Sequence, residues 1–454
     1  MNKFSKQEVF ETMPVPKAVA NLAIPTILGM LVIIIYNLAD TFFVGQIGDP
    51  NQVAAVTIST PIFIILLAFG NLFGLGGGSY ISRLLGSKDY DNVKKTTSFA
   101  FYSCIIVGAL VAILGTIFLD DIIHLLGSSK NTFQFSKDYL FTVILGAPAI
   151  IASCALGQLI RSEGAAKESM IGMMLGTIIN IILDPIFIIG LKMGVFGAAI
   201  ATVIANAISV VYFIIYLIKS SEFLSISPKH FKPKAIIVKN VFAIGTPAAL
   251  TSALFSFSTI LLNNFAVTFG DTTVAAIGIV GKINLLPVYL AMGLGQGVQP
   301  LVGYSYAANN MTRLKKTINY AAVVGTIFEV LITILLFFVG EFAVGIFIND
   351  VETVELGVKF LRINLISMPI FGILFLLMNT FQALGKAIPS LFLSIARQGF
   401  VFIPVLIIGT RLFGLNGIVY SQPIADIACA IMSVIMALIV FRKDFKSESK
   451  SLAK

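Results

Sequence analysis

Apolar runs long enough to cross a bilayer recur along the whole chain, broken by short polar loops. They fall near residues 17–44, 53–82, 96–118, 136–160, 169–190, 194–218, 236–269, 275–302, 317–339, 356–381, 390–410 and 414–441. A spanning helix needs roughly 20 apolar residues. Several runs are longer, so those helices tilt, bend or protrude. The pattern predicts an all-α integral membrane protein with twelve transmembrane helices.

The polar positions between the runs set an orientation. The N-terminal segment and the even-numbered loops carry Lys3, Lys6, Lys17, Arg83, Lys88, Lys94, Lys95, Arg161, Lys167, Lys219, Lys229, Lys232, Lys234, Lys239, Arg313, Lys315, Lys316 and Lys386, and the tail adds Arg442, Lys443, Lys446, Lys450 and Lys454. The odd-numbered loops hold only Lys130, Lys137, Lys192, Lys359 and Arg411. Basic loops stay inside. Both termini are therefore expected in the cytoplasm of a multi-pass plasma-membrane protein. The long basic loop over 219–239, with Pro228 and Pro233, reads as a cytoplasmic linker between an N-terminal lobe (1–218) and a C-terminal lobe with its tail (240–454).

The two lobes repeat one another at a constant offset of 221 residues. Val53-Ala54-Ala55 returns as Val274-Ala275-Ala276, Gly74 and Gly76 as Gly295 and Gly297, and Lys94-Lys95 as Lys315-Lys316. Pro148 returns as Pro369 and Gly164 as Gly385. A duplicated unit of six helices keeps the same orientation in both copies, which predicts parallel, pseudo-symmetric six-helix lobes about an axis along the membrane normal, with a central cavity between them.

Composition narrows the function classes. Hydrophobic residues make up 57% of the chain and charged residues 12%, about half the charged share of a soluble domain. The net charge of +9 does not indicate nucleic acid, because the basic residues are sorted by loop. Cys104, Cys154 and Cys429 lie in apolar runs and read as small buried hydrophobes. His124 and His230 are far apart with no partner at ligand spacing, so no resident metal is expected. The polar start of the chain leads straight into a full-length apolar run, unlike a signal peptide. The glycines from Gly70 to Gly78 lie in a span and read as close helix packing or a bend. No Walker lysine follows them, so neither ATP hydrolysis nor another enzyme activity is expected, and no cofactor.

A charged group inside a span costs about 2.5–3.5 kcal/mol on insertion scales, which makes in-span acids candidates for function. Asp184 is the clearest. Asn180 and Thr177 precede it on the same helix face, and Pro185 follows, removing the donor that the Ile181 carbonyl would use. These oxygens suit Na⁺ or a proton. Helix six carries Thr202, Asn206 and Ser209, and helix one carries Tyr36, Asn37, Asp40 and Thr41. Interhelical hydrogen bonding is the alternative use of such stripes. The second lobe repeats the stripe on helix seven as Ser252, Ser256, Thr259 and Asn263, without an acid; Leu261 and Leu262 stand opposite Asp40, and Val405 opposite Asp184. Ion coupling is therefore expected in the first lobe alone. Tyr36, Asn37, Thr177, Asn206, Ser256 and Asn263 are candidates for lining the cavity. Arg362 and Arg397 read as helix-end residues that snorkel. Glu329 and Asp426 read as deeper, with pairing, cavity-lining and helix-joining roles all open.

The runs Ile24-Pro25, Asn37-Leu38-Ala39-Asp40-Thr41-Phe42-Phe43-Val44-Gly45, Arg83-Leu84-Leu85-Gly86, Arg161-Ser162-Glu163-Gly164 and Asn180-Ile181-Ile182-Leu183-Asp184-Pro185 resemble the multidrug and toxic compound extrusion (MATE) family, most of all its MepA-like and DinF-like branches. The resemblance covers nearly the whole chain. It implies the MATE fold, with two lobes around a central cleft. It also implies efflux of small-molecule drugs, amphipathic and often organic cations, against H⁺ or Na⁺ by a monomer in membrane lipid. The branch's acidic network carries over onto Asp40, Asn180, Asp184 and Thr202, where Na⁺ or a proton would bind, with Tyr139 at the position of a network tyrosine. Helix seven lacks the acid of the NorM-like branch. The rival reading within the superfamily is a flippase for lipids or lipid-linked oligosaccharides, whose cavities are rich in Arg and Lys.

Overall fold

The computed structural model describes residues 6–348 and 350–452, with side chains to Arg442. Of the basic positions used for orientation, Lys3 and Lys454 lie outside the described residues, and the side chains of Lys443, Lys446 and Lys450 are not described. Among the described residues there is no strand.

A short helix, α1 (Lys6–Glu11), precedes the bundle. The first half then comprises α2 (Val15–Gly45), α3 (Pro50–Gly86), α4 (Tyr90–Ile117), α5 (Leu119–Leu125), α6 (Phe133–Leu145), α7 (Ala147–Ser162), α8 (Ala166–Asp184) and α9 (Gly194–Lys219). The second half comprises α10 (Ala235–Val267), α11 (Asp271–Ala307), α12 (Met311–Gly345), α13 (Val351–Asn364), α14 (Met368–Ala383), α15 (Ala387–Ile395), α16 (Phe402–Phe413) and α17 (Leu415–Leu452). Among the described residues, ten helical segments are long and apolar enough to span alone, and two bent pairs bring the count to twelve. The bent pairs are α6–α7, at 52°, and α13–α14, at 51°. Their downstream helices start with Pro148 and Pro369 in the first turn, where a missing N–H costs least. The bends thus obey the internal repeat.

Spans five and eleven each contain a π-turn, at Pro185–Gly190 and Ala396–Phe400. In span five the proline directly after Asp184 accounts for it, since an α-helix loses a hydrogen bond there. The linker after α9 is laid along α4: Ser98 donates to the carbonyl oxygens of Ser225 and Ser227 at 2.8 and 3.0 Å, and Tyr102 to that of Ile226 at 2.9 Å.

The halves meet at the end of the bundle that carries the chain start and the inter-half linker. There glycine allows backbone contact. A Cβ on Gly76 would lie 2.2 Å from the Val241 carbonyl oxygen, and one on Gly245 would lie 2.0 Å from that of Leu72. The glycine-rich stretch of α3 is therefore a packing surface against α7 and α10. Polar residues complete the seal. Arg83 donates to the Ala383 carbonyl oxygen at 3.0 Å, capping α14, and Ser79 donates to that of Gln382. Arg161, 4% exposed, donates to Gln296 at 2.9 Å. Asn71 accepts from Gln158 at 2.7 Å and donates to Ser252 at 3.2 Å.

Helix α1 straps this end. On the first half, Lys6 pairs with Glu163 at 3.1 Å, and the fully buried Glu163 carboxylate also accepts from Tyr216 at 2.5 Å and Ser221 at 2.8 Å. On the second half, Phe10 stacks on Tyr304 with centroids 4.8 Å apart. Tyr304 donates to Glu11 at 2.6 Å, and Arg313 donates to the Val9 carbonyl oxygen at 2.9 Å.

Candidate functional site

Tight helix packing sets the first-half cluster. Helices α8 and α9 run antiparallel in close contact, because Gly172 accepts the Phe213 ring and Gly176 the Ser209 side chain. Ser209 then donates to the Gly172 carbonyl oxygen at 2.9 Å, so this hydroxyl serves helix joining. The same packing, continued along the pair, faces Asn180 and Asp184 toward Thr202. Helix α2 meets α8 at Gly29, where a Cβ would lie 3.6 Å from Met173 Sδ. Counting along both helices from that contact sets Tyr36 level with Asn180 and Asp40 level with Asp184.

Asn180 and Asp184 are each 0% exposed and Thr202 is 2% exposed. Asn180 donates to Asp184 Oδ1 at a long 3.4 Å, and Tyr36 and Thr202 pair through their hydroxyls at 3.4 Å. Asp184 Oδ2 and Asn180 Oδ1 are buried with no partner. Asp40 is half-buried. Asp40, Asp184, Tyr36 and Tyr139 are close enough to act on one another electrostatically. An unpartnered buried carboxylate oxygen costs several kcal/mol unless a proton or cation neutralises it. Two orphan oxygens beside a second carboxylate fit either.

The other sequence candidates lie differently. Asn37 is exposed and donates to the Ile33 carbonyl oxygen of its own helix at 2.9 Å. Asn206 donates to the Thr202 carbonyl oxygen at 2.8 Å, and Thr177 is half-buried. In the second half, Asn263 is exposed, while the Ser256 hydroxyl is buried without a partner.

One expectation needs correction. Arg397 does not snorkel from a helix end. It sits on the π-turn of span eleven, 7% exposed, with its guanidinium over the rings of Phe371 and Phe375 and its Nε 2.7 Å from Asp426 Oδ1. Asp426 and Glu329 are buried, at 0% and 1% exposed. Position along an apolar run misled here: the π-turn bends the span so that a residue near its sequence edge points inward. Asp426→Asn is expected to cost about 3–5 kcal/mol, because it leaves the guanidinium buried without a counter-charge. Arg397→Met combined with Asp426→Leu should cost much less. Thermal denaturation of the purified variants reads both, and equal losses would refute the account.

Sequence reasoning also passed over Asn71, Gln158 and the glutamines of α11 and α14. Their one signal is the glycine-rich segment of α3, which marks where polar groups must meet across a close backbone contact.

A family model described as MatE matches residues 25–186 and again residues 247–408. The chain belongs to the MatE family. The two matched stretches lie 222 residues apart, within one residue of the offset of the repeated motifs. Among MATE relatives, the chain is 38% identical over 426 residues to the multidrug export protein MepA of Staphylococcus haemolyticus, covering 94% of each chain. It is 37% identical over 432 residues to MepA of Staphylococcus aureus, covering 95% of each. Among solved structures it superposes on an outward-facing MATE transporter of the MOP superfamily with a TM-score of 0.93 at 24% identity, covering 98% of this chain and 100% of that one. A MATE in its bent conformation gives a TM-score of 0.90 at 24% identity, covering 98% and 99%. These likenesses establish the MATE fold, with two six-helix halves.

Proposed function

We propose that this protein is an ion-coupled antiporter that exports amphipathic, often cationic, small molecules across the plasma membrane as a monomer. The observation that carries the reading is the buried pair Asp184–Asn180, with two unpartnered oxygens, level with Asp40 on the neighbouring helix. Similarity to the MepA multidrug export proteins over nearly the whole chain supports the cargo class.

The basic loops support a cytoplasmic position for the termini and the strapped end. The conformation described here is then sealed on the cytoplasmic side. H⁺ or Na⁺ arriving from outside neutralises Asp184, with Asp40, Asn180 and Thr202 as the surrounding oxygens and Tyr36 and Tyr139 as the adjacent phenols. A neutral cluster no longer attracts a cationic drug and no longer opposes closer packing of α2 on α8. Drug leaves outward, the halves reverse, and the ion departs inward.

Dye uptake into inverted membrane vesicles, under a pH gradient and a Na⁺ gradient imposed separately, tests this. Accumulation driven by at least one of them is expected. Failure of both would remove the coupling assignment. No observation favours the flippase reading.

A further inference from the structure

The second half holds a carboxyl that the first-half cluster does not explain. Glu329 is on α12, one turn beyond Gly325, where α12 packs backbone to backbone on Gly372 of α14. It is 1% exposed, its Oε2 has no partner, and the Thr333 hydroxyl, one turn further along the same face, has none either. None of the titratable groups on α11 (such as Lys282 and Tyr289), on α13 (such as Lys359 and Arg362) or on α2 (such as Asp40) acts on it, and α14 carries none.

The internal repeat shows what Glu329 faces. At the offset of 221 residues it corresponds to Gly108 of α4. Gly108 sits directly on the bend of span four: a Cβ there would lie 2.5 Å from Pro148 Cα. Pro148 corresponds to Pro369, in the first turn of α14. The second half thus puts a carboxyl where the first half has bare glycine, against the bend of span ten. In the first turn of α14, Pro369 has no N–H and Ile370 donates its own to the Ser367 carbonyl oxygen at 3.2 Å, so the N–H groups of Met368 and Phe371 are the ones that favour a negative charge when they approach it.

We propose that Glu329 is a proton-binding site in the second half, distinct from the Asp40–Asp184 cluster and controlled by the bend between α13 and α14. In the conformation described here the carboxyl holds its proton, because it has neither a counter-charge nor a water-exposed face. A shift of the bend that brings the α14 N–H groups onto it stabilises the carboxylate, and the proton leaves to water. Na⁺ is a poor fit, since one carboxyl and one hydroxyl supply too few oxygens.

Full-length protein in proteoliposomes tests this through two readouts. One is the infrared carbonyl band of a protonated carboxyl. The other is the number of protons exchanged per ethidium bound, followed with a pH-indicator dye in weak buffer. Glu329→Gln is neutral and near-isosteric. It should remove the band in the drug-free state and lower the proton count, while Asp184→Asn lowers the count separately. A wild-type band and count in Glu329→Gln would overturn the proposal. If Glu329→Gln misfolds, carbon-13 glutamate in the wild-type protein replaces it: the band should shift, and an unshifted band overturns the proposal. Loss of all exchange in Asp184→Asn with none in Glu329→Gln would sink this inference and leave the first-half reading standing. Loss of all exchange in Glu329→Gln with none in Asp184→Asn would do the reverse.

Discussion

Asp184→Asn is expected to yield a folded protein that binds dye but no longer exports it against a gradient. The substitution keeps size and hydrogen-bonding capacity and removes the one property the site needs, a charge that an ion can neutralise. The buried pair makes the effect large. Asp184 is fully enclosed, with an unpartnered oxygen, whereas the neighbouring carboxylate of Asp40 is only half-buried. One positive charge driven inward by 100 mV supplies about 2.3 kcal/mol, which sustains roughly a fiftyfold gradient of a neutral cargo. In the variant that gradient should collapse toward unity in a membrane-vesicle accumulation assay. Wild-type accumulation by Asp184→Asn would refute the assignment. Asp40→Asn is expected to weaken coupling less, because Asp40 is only half-buried.

Gly245→Val should disable transport by the opposite route, with the ion site untouched. Any Cβ at this position would lie 2.0 Å from the Leu72 carbonyl oxygen and 2.8 Å from its carbon. Backbone atoms cannot rotate away as a side chain does, so α10 must withdraw from α3. Overpacking costs typically 1–3 kcal/mol and sometimes more. The cost falls only on the conformation in which this end is sealed, and about 2.7 kcal/mol already shifts a two-state population roughly a hundredfold. Spin labels placed across the seal should report a longer separation than in the parent protein, together with lost efflux. An unchanged separation would show that the contact is not the seal.

The twelve spans were legible because lipid imposes a length and a polarity that few sequences satisfy by chance. The apolar runs agree with the helices to within a few residues at most ends. The repeat was legible for a related reason: packing glycines and bend prolines such as Gly76, Gly297, Pro148 and Pro369 tolerate little substitution in either copy. What the sequence left open depends on helix rotation. The stripe Thr202–Asn206–Ser209 looks uniform on paper. In the structure Thr202 reaches Tyr36, Asn206 turns back to its own helix, and Ser209 fastens α9 to α8. Arg397 was misread because a π-turn changes the direction of every side chain beyond it. Helix α1 escaped notice because six residues of mixed character carry no periodic signal.

That small helix has a consequence for how the molecule is made. Its partners on the second half, Tyr304 and Arg313, come 293 and 304 residues later in the chain than the groups they bind. At about 5–20 residues per second, roughly 15–60 s of synthesis separate them. Helix α1 must therefore wait for its second-half partners until the eighth and ninth spans are in the bilayer. The knot that ties the finished transporter shut is begun long before it can be fastened.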